Sequence, residues 1–218
     1  MQSEINKTVK KPISVPTLSR LPVYYYFLKS IAEQGREYIS CSKISAGLGL
    51  TSIQVRKDFE SIGANGKPKI GYEVKVLIKI IAVTLGYDNI SEAFLVGAGN
   101  LGKALLGYSI FDDYGLKIIA AFDTNPEIIG QNISGKPVFH IDRLKDLVPR
   151  MGIKIGIITV PSDKTQEIAD LMVASGIKAI WNFAPIFIKT PEDIIIQNVN
   201  MASSLAVLSN KLLKKEKE

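Results

Sequence analysis

The segment Val96-Gly97-Ala98-Gly99-Asn100-Leu101-Gly102 limits what this chain can fold into more than any other stretch of its 218 residues. A G-x-G-x-x-G run between an apolar strand and a helix belongs to a βαβ unit that grips a dinucleotide. The first glycine makes the sharp turn, the second lets backbone approach a pyrophosphate, and the third lets helix and strand pack closely. The helix start then faces the phosphates with unpaired N–H groups. Asp123 ends the next β-rich run, 24 residues after Gly99. A carboxylate there accepts hydrogen bonds from an adenosine ribose. Thr124-Asn125-Pro126 brings no arginine for a 2′-phosphate, so NAD(H) is expected rather than NADP(H).

Such a fingerprint usually opens an enzyme, yet here a whole module precedes it. From residue 93 onward, apolar runs over 93–96, 117–122, 153–160, 179–183 and 194–199 alternate with amphipathic stretches. That pattern predicts a parallel sheet covered on both faces. The predicted architecture is α/β with an α+β N-terminal module. A winged helix-turn-helix occupies residues 1–85, a Rossmann domain 86–199, and a C-terminal helix 200–218.

Charge divides along the same line. Residues 1–80 hold 13 Lys/Arg against 6 Asp/Glu, and residues 81–218 hold 14 against 15. All of the net +6 thus lies upstream of the glycine turn, which points to a polyanionic partner for the first module. The lone Cys41 excludes an internal disulfide and a cysteine metal cage. No metal is expected. No long uncharged apolar run and no apolar signal core occur, so a cytoplasmic protein with no membrane partner is expected.

The N-terminal module has a helix-turn-helix pattern. Pro16-Thr17-Leu18-Ser19-Arg20-Leu21-Pro22 opens a helix with Val23, Tyr26, Phe27 and Ile31 at helical spacing, and Gly35 ends it. Ser40-Cys41-Ser42 offers an N-cap for a short helix over 43–48, and Gly49 makes a tight turn. Thr51 or Ser52 caps the next helix, over 53–62, with Val55, Phe59 and Ile62 as its buried side. In such a unit the second helix enters the major groove. Gln54 can pair adenine, Arg56 can pair guanine, and Lys57 can anchor phosphate. The basic, turn-rich stretch 63–72 is expected to be a wing hairpin, with Lys67 and Lys69 approaching DNA.

Catalytic candidates are sparse. His140 is the only histidine and follows Pro137-Val138-Phe139, the end of an expected strand. Tyr25-x-x-x-Lys29 has the spacing of a dehydrogenase pair, but it lies in the first helix of the basic module. Only 35 residues follow Phe183, too few for a substrate domain. These residues still leave open a small NAD-dependent oxidoreductase, or a DNA-binding protein that holds NAD without sensing redox state.

The chain resembles the bacterial redox-sensing repressors of the Rex family over nearly its whole length. The similarity rests on residues 16–25, Gln54-Val55-Arg56-Lys57-Asp58-Phe59, Gly71-Tyr72-Glu73-Val74, the glycine turn, Ala121-Phe122-Asp123, Thr159-Val160-Pro161, residues 176–185 and Asn198-Val199. The resemblance implies a non-enzymatic homodimer that binds double-stranded operator DNA and leaves it when NADH binds. It implies a nucleotide site of Gly97, Ala98, Gly99, Asn100, Leu101, Gly102, Asp123, Thr159, Val160, Pro161, Asn182 and Phe183, with Tyr108 approaching the nicotinamide. It implies DNA contacts from Ser52, Gln54, Arg56, Lys57, Lys67, Lys69 and Tyr72.

Arg20 would sit between the domains, in a redox network with Tyr108 and residue 200 of a partner. Met201, Leu205, Leu208 and Leu212 form one apolar stripe, on a helix that the family inserts between the partner's domains. The chain departs from the pattern at Met201, at Ser61-Ile62-Gly63-Ala64-Asn65, at Lys67-Pro68-Lys69-Ile70 and at Asn200. Asn200 stands where the family carries Asp, and a neutral amide makes no charged pair with Arg20. Lys69 replaces a glycine of the wing, so another turn geometry is expected there.

Overall fold

The computed structural model describes residues 12–216, which fall into two compact units that divide between Asn89 and Ile90. The first unit begins with α1 (Val15–Glu33), capped by Ser14, whose hydroxyl accepts from the Thr17 amide. Its buried stripe is Thr17, Leu21, Tyr24, Tyr25, Leu28 and Ile31. This corrects the expected stripe: Val23 and Tyr26 are exposed and only Ile31 of the expected set is buried. Both sets recur at helical spacing, and packing against the other helices decides between them.

Next come β1 (Tyr38–Ile39), α2 (Cys41–Leu48) and α3 (Ser52–Ser61). Ser40 caps α2, the left-handed Gly49 ends it, and Thr51 caps α3 through the Gln54 amide at 3.2 Å. β2 (Tyr72–Glu73) pairs antiparallel with β1, and α4 (Val74–Leu85) closes the unit. Tyr24, Phe59 and Tyr72 meet edge-to-face at its centre, with both ring separations 5.1 Å.

The expected wing hairpin is smaller than a ladder. The Lys67 amide donates to the Gly71 carbonyl at 2.7 Å and the Gly71 amide returns the bond at 2.9 Å. Pro68, Lys69 and Ile70 form the turn between them, and the pairing consists of this one bridge. Lys69 adopts φ +64°, the left-handed conformation that glycine takes most easily.

The second unit is a seven-stranded sheet in the order β5-β6-β4-β3-β7-β8-β9. Its strands are β3 (Ser91–Val96), β4 (Leu116–Asp123), β5 (Asn132–Ile133), β6 (Lys136–His140), β7 (Ile155–Ile158), β8 (Ala179–Asn182) and β9 (Ile195–Asn198). Only β5 runs antiparallel. Alternation along β3 sends Ala93 and Leu95 to one face, with Leu106, and Phe94 and Val96 to the other. That other face lies under α7 (Leu144–Met151) and α8 (Thr165–Ser175). A bulge at Ile119 lets β4 keep both faces in step. α5 (Asn100–Leu106) and α6 (Ile110–Asp113) follow the glycine turn, and α9 (Met201–Lys215) follows β9.

Candidate functional site

A cleft of about 720 Å³ opens at the carboxyl ends of β3, β4 and β7. The chain leaves β3 toward β4 on one side, and β7 lies on the other. This is the switch point where ligands bind in such sheets. Gly97, Gly99, Asp123, Thr159, Val160 and Pro161 all line it. Gly97 has φ +100°, and a Cβ there would press on the Thr159 backbone at 2.9 Å. A Cβ on Gly102 would collide with the Gly97 carbonyl oxygen, so that glycine serves helix–strand packing. A Cβ on Gly99 would meet no protein atom within 4 Å. The fold itself does not demand glycine at that position, which leaves the space for a ligand.

Asp123 holds the turn by its backbone. Its Oδ2 accepts from the Ala98 amide at 2.7 Å, and its Oδ1 from the Thr124 and Asn125 amides at 2.7 and 2.9 Å. The carboxylate is therefore fixed at the cleft mouth with lone pairs to spare for ribose hydroxyls. The Thr159 hydroxyl donates to the Gly97 carbonyl at 2.6 Å and ties β7 to the turn. Asn100 and Leu101 begin α5. The cleft also includes Lys145 and Lys164, which sequence reasoning misses. Each stands within a few residues of a strand end, and that position is the available signal.

At the far side of the sheet, Tyr108, Phe111, Trp181 and Phe183 form a chain of ring contacts at 5.0, 5.4 and 4.8 Å. Tyr108 is its exposed end. Asn182 is fully buried and its amide is spent internally. It donates to the Ile186 carbonyl and to Asn198 Oδ1, both at 2.8 Å, and accepts from the Ala184 amide at 3.0 Å. Asn182 thus clamps β8 to β9 and shapes the loop after β8.

In the first unit, α3 turns Ser52, Ile53, Arg56, Lys57 and Glu60 outward. Gln54 is half-buried, and Asp58 is buried beside it. The sequence pattern hides Asp58, because a charged helix residue ordinarily faces solvent. Its carboxylate accepts from Arg20 Nε at 2.7 Å, Arg20 Nη2 at 2.8 Å, Tyr24 at 2.7 Å, Gln54 Nε2 at 3.0 Å and Thr17 at 3.1 Å. Burial alone would raise its pKa. The hydrogen bonds, led by Arg20, outweigh that and hold it below the usual carboxylate value. Arg20 is thus engaged within its own unit.

Arg56, Lys67 and Lys69 line a shallow polar groove beside the wing turn. Lys67 folds back over the Tyr38 ring at 5.4 Å. Tyr72 lines the same groove, with most of its ring packed in the core, and burial raises its hydroxyl to about 12. Tyr25 is likewise a core residue, with Lys29 Nζ 5.0 Å from its ring centre. His140 ends β6 at the surface.

Two family models match the chain. "Putative DNA-binding protein N-terminus" covers residues 12–60, and "CoA binding domain" covers residues 88–186. The redox-sensing transcriptional repressor Rex of Bacteroides fragilis is 41% identical over 212 residues, which span 97% of this chain and 96% of that protein. The chain belongs to the Rex family. The Rex of Treponema denticola is 44% identical over 199 residues, 91% of this chain and 95% of that one. Among solved structures, the Rex-family repressor RSP in complex with β-NAD+ and operator DNA has a TM-score of 0.88, 36% identity and 95% coverage of each chain. RSP in complex with β-NADH has a TM-score of 0.85 and 35% identity, covering 95% of this chain and 97% of that one.

Within this Rex-family fold, Asn200 caps α9. Its Oδ1 accepts from the Ser203 amide at 3.0 Å. The stripe of Met201, Leu205, Leu208 and Leu212 is 57–63% exposed.

Proposed function

We propose that this protein is a homodimeric, NAD(H)-responsive repressor that binds palindromic operator DNA and releases it when NADH binds. The carrying observation is that one chain presents both a glycine-turn cleft with a fixed carboxylate and a basic helix-turn-helix face. RSP, solved with NAD+ and operator DNA and with NADH, lends the two ligands their identity.

The cleft residues have separable tasks. The Gly97–Leu101 backbone receives the pyrophosphate, Gly99 gives it room, and Asp123 takes the adenosine ribose. Lys145 and Lys164 bring positive charge to the cleft beside Asp142 and Glu167, the latter 3.6 Å from Lys164. The nucleotide brings a nicotinamide that differs between its two forms by a hydride and a charge. Tyr108 and Phe183, at the two ends of the aromatic chain, are the residues assigned to sense that difference.

A ligand moves a two-state equilibrium only by its differential affinity for the states. NADH must therefore favour an arrangement in which the two α3 helices of a dimer no longer match the half-site spacing. The dimer contact is assigned to α9, whose exposed side chains stabilise an interface by about 1.5–3 kcal/mol each when fully covered. With Asn200 neutral and Arg20 held by Asp58, redox discrimination here rests on Tyr108 and the aromatic chain rather than on an Arg20 pair.

As an operator-binding repressor the protein would work in the cytoplasm, and we assign it there. No described helix is long and apolar enough to cross a membrane, and no metal-holding cluster occurs among the described residues. It is assigned no turnover, since Tyr25 is a buried packing residue rather than a free proton donor. Selection of a duplex from random DNA tests the reading. A palindrome should be recovered, with its affinity reduced by Lys57→Ala. NADH mixed with a panel of carbonyl substrates should stay unoxidised. Failure to select any DNA, together with NADH turnover, would instead make the protein a small oxidoreductase.

A further inference from the structure

Ile53 is the one apolar side chain on the outward face of α3 and is 58% exposed. A single exposed isoleucine is ordinary on a protein surface, so its place on the helix must give it meaning. It lies in the first turn of α3, and the amino-terminal residues of such a helix are the ones that meet base edges. Arg56 and Lys57 follow at three and four positions, so the three side chains share one face. Isoleucine is also a poorer helix former than lysine, glutamate or alanine. At this site it neither caps the helix nor fills the core.

The neighbouring Gln54 is already oriented. Gln54 Nε2 donates to Asp58 at 3.0 Å, and Asp58 is itself held by Arg20, Tyr24 and Thr17. A carboxylate accepts only, so the amide cannot flip. One N–H and the carbonyl oxygen remain, the pair that adenine requires. Thymine is the only base with a methyl group in the major groove. We infer that Ile53 is a specificity-determining residue that selects thymine through its C5 methyl, next to the position read by the prealigned Gln54. This inference rests on the repressor reading given above.

The test uses the full chain and a duplex selected from random DNA. Thymines are replaced by uracil, one symmetry-related pair at a time, which removes only the methyl group. Binding is read by fluorescence anisotropy for the wild type, Ile53→Ala and Ile53→Val, with circular dichroism confirming that all three fold. At one position, uracil should weaken wild-type binding about fourfold per methyl, or roughly fifteenfold for the pair. Ile53→Ala should bind both duplexes equally, at the weakened level, and Ile53→Val should keep part of the discrimination. If the loss at every position is the same for wild type and Ile53→Ala, the proposal is overturned while the repressor reading stands. If no duplex can be selected, both fall.

Discussion

Replacing Asp58 by asparagine changes one charge and almost no volume, so its effect isolates the network behind α3. The carboxylate accepts five hydrogen bonds, two of them from Arg20 at 2.7 and 2.8 Å. Asparagine has one oxygen and turns N–H groups toward donors that need an acceptor. Breaking a buried ion pair costs about 3–5 kcal/mol. The Arg20 side chain is 27% exposed, so water recovers part of that. The expected loss is about 3 kcal/mol, which for a unit of this size lowers its melting temperature by roughly 12–24 °C.

Calorimetry of the full chain should show the shift in the transition of the first unit alone. The lowered carboxyl adds a pH signature. Its contribution is full above the unfolded aspartate value, about 3.9, and is lost as pH falls through the lower native value. Asp58→Asn should flatten that acid slope. A variant within about 0.5 kcal/mol of wild type, the range of plain surface changes, would refute the claim that Asp58 anchors α3.

Other substitutions separate fold from ligand. Gly102→Ala should disrupt the turn and abolish nucleotide binding. Gly99→Ala should leave the melting temperature unchanged but weaken NADH binding at least tenfold, measured by titration calorimetry, because its Cβ meets ligand space only. Asn182→Ala should destabilise the second unit by about 2–4 kcal/mol in urea unfolding, since the Ile186 carbonyl and Ala184 amide lose their partner. Lys69→Gly should hold or raise the melting temperature, relieving a left-handed residue that costs about 1–2 kcal/mol. The same change should lower the salt dependence of operator binding by about one unit of slope for each phosphate that Lys69 neutralises.

The nucleotide half is the easier one to read from sequence. Parallel strands buried on both faces are continuous apolar runs, and the glycine turn with Asp123 marks the cleft before any packing is known. β5 escapes notice because two residues and the Ser134-Gly135 turn carry no periodicity. In the first unit, Leu21-Tyr24-Leu28-Ile31 and Val23-Tyr26-Phe27 both recur at helical spacing, and only tertiary packing chooses between them. Asp58 is hidden because charge on a helix ordinarily marks the solvent side. Asn200 reads as a missing charge, whereas locally it caps a helix.

Coupling between the redox state of the nucleotide and the grip on DNA is tested most directly by anisotropy of the selected operator duplex. The complex is titrated with NADH and separately with NAD+ at the same protein and salt concentrations. NADH should release the duplex at concentrations where NAD+ leaves it bound, even with Asn200 in place. Identical responses to the two nucleotides would contradict that coupling.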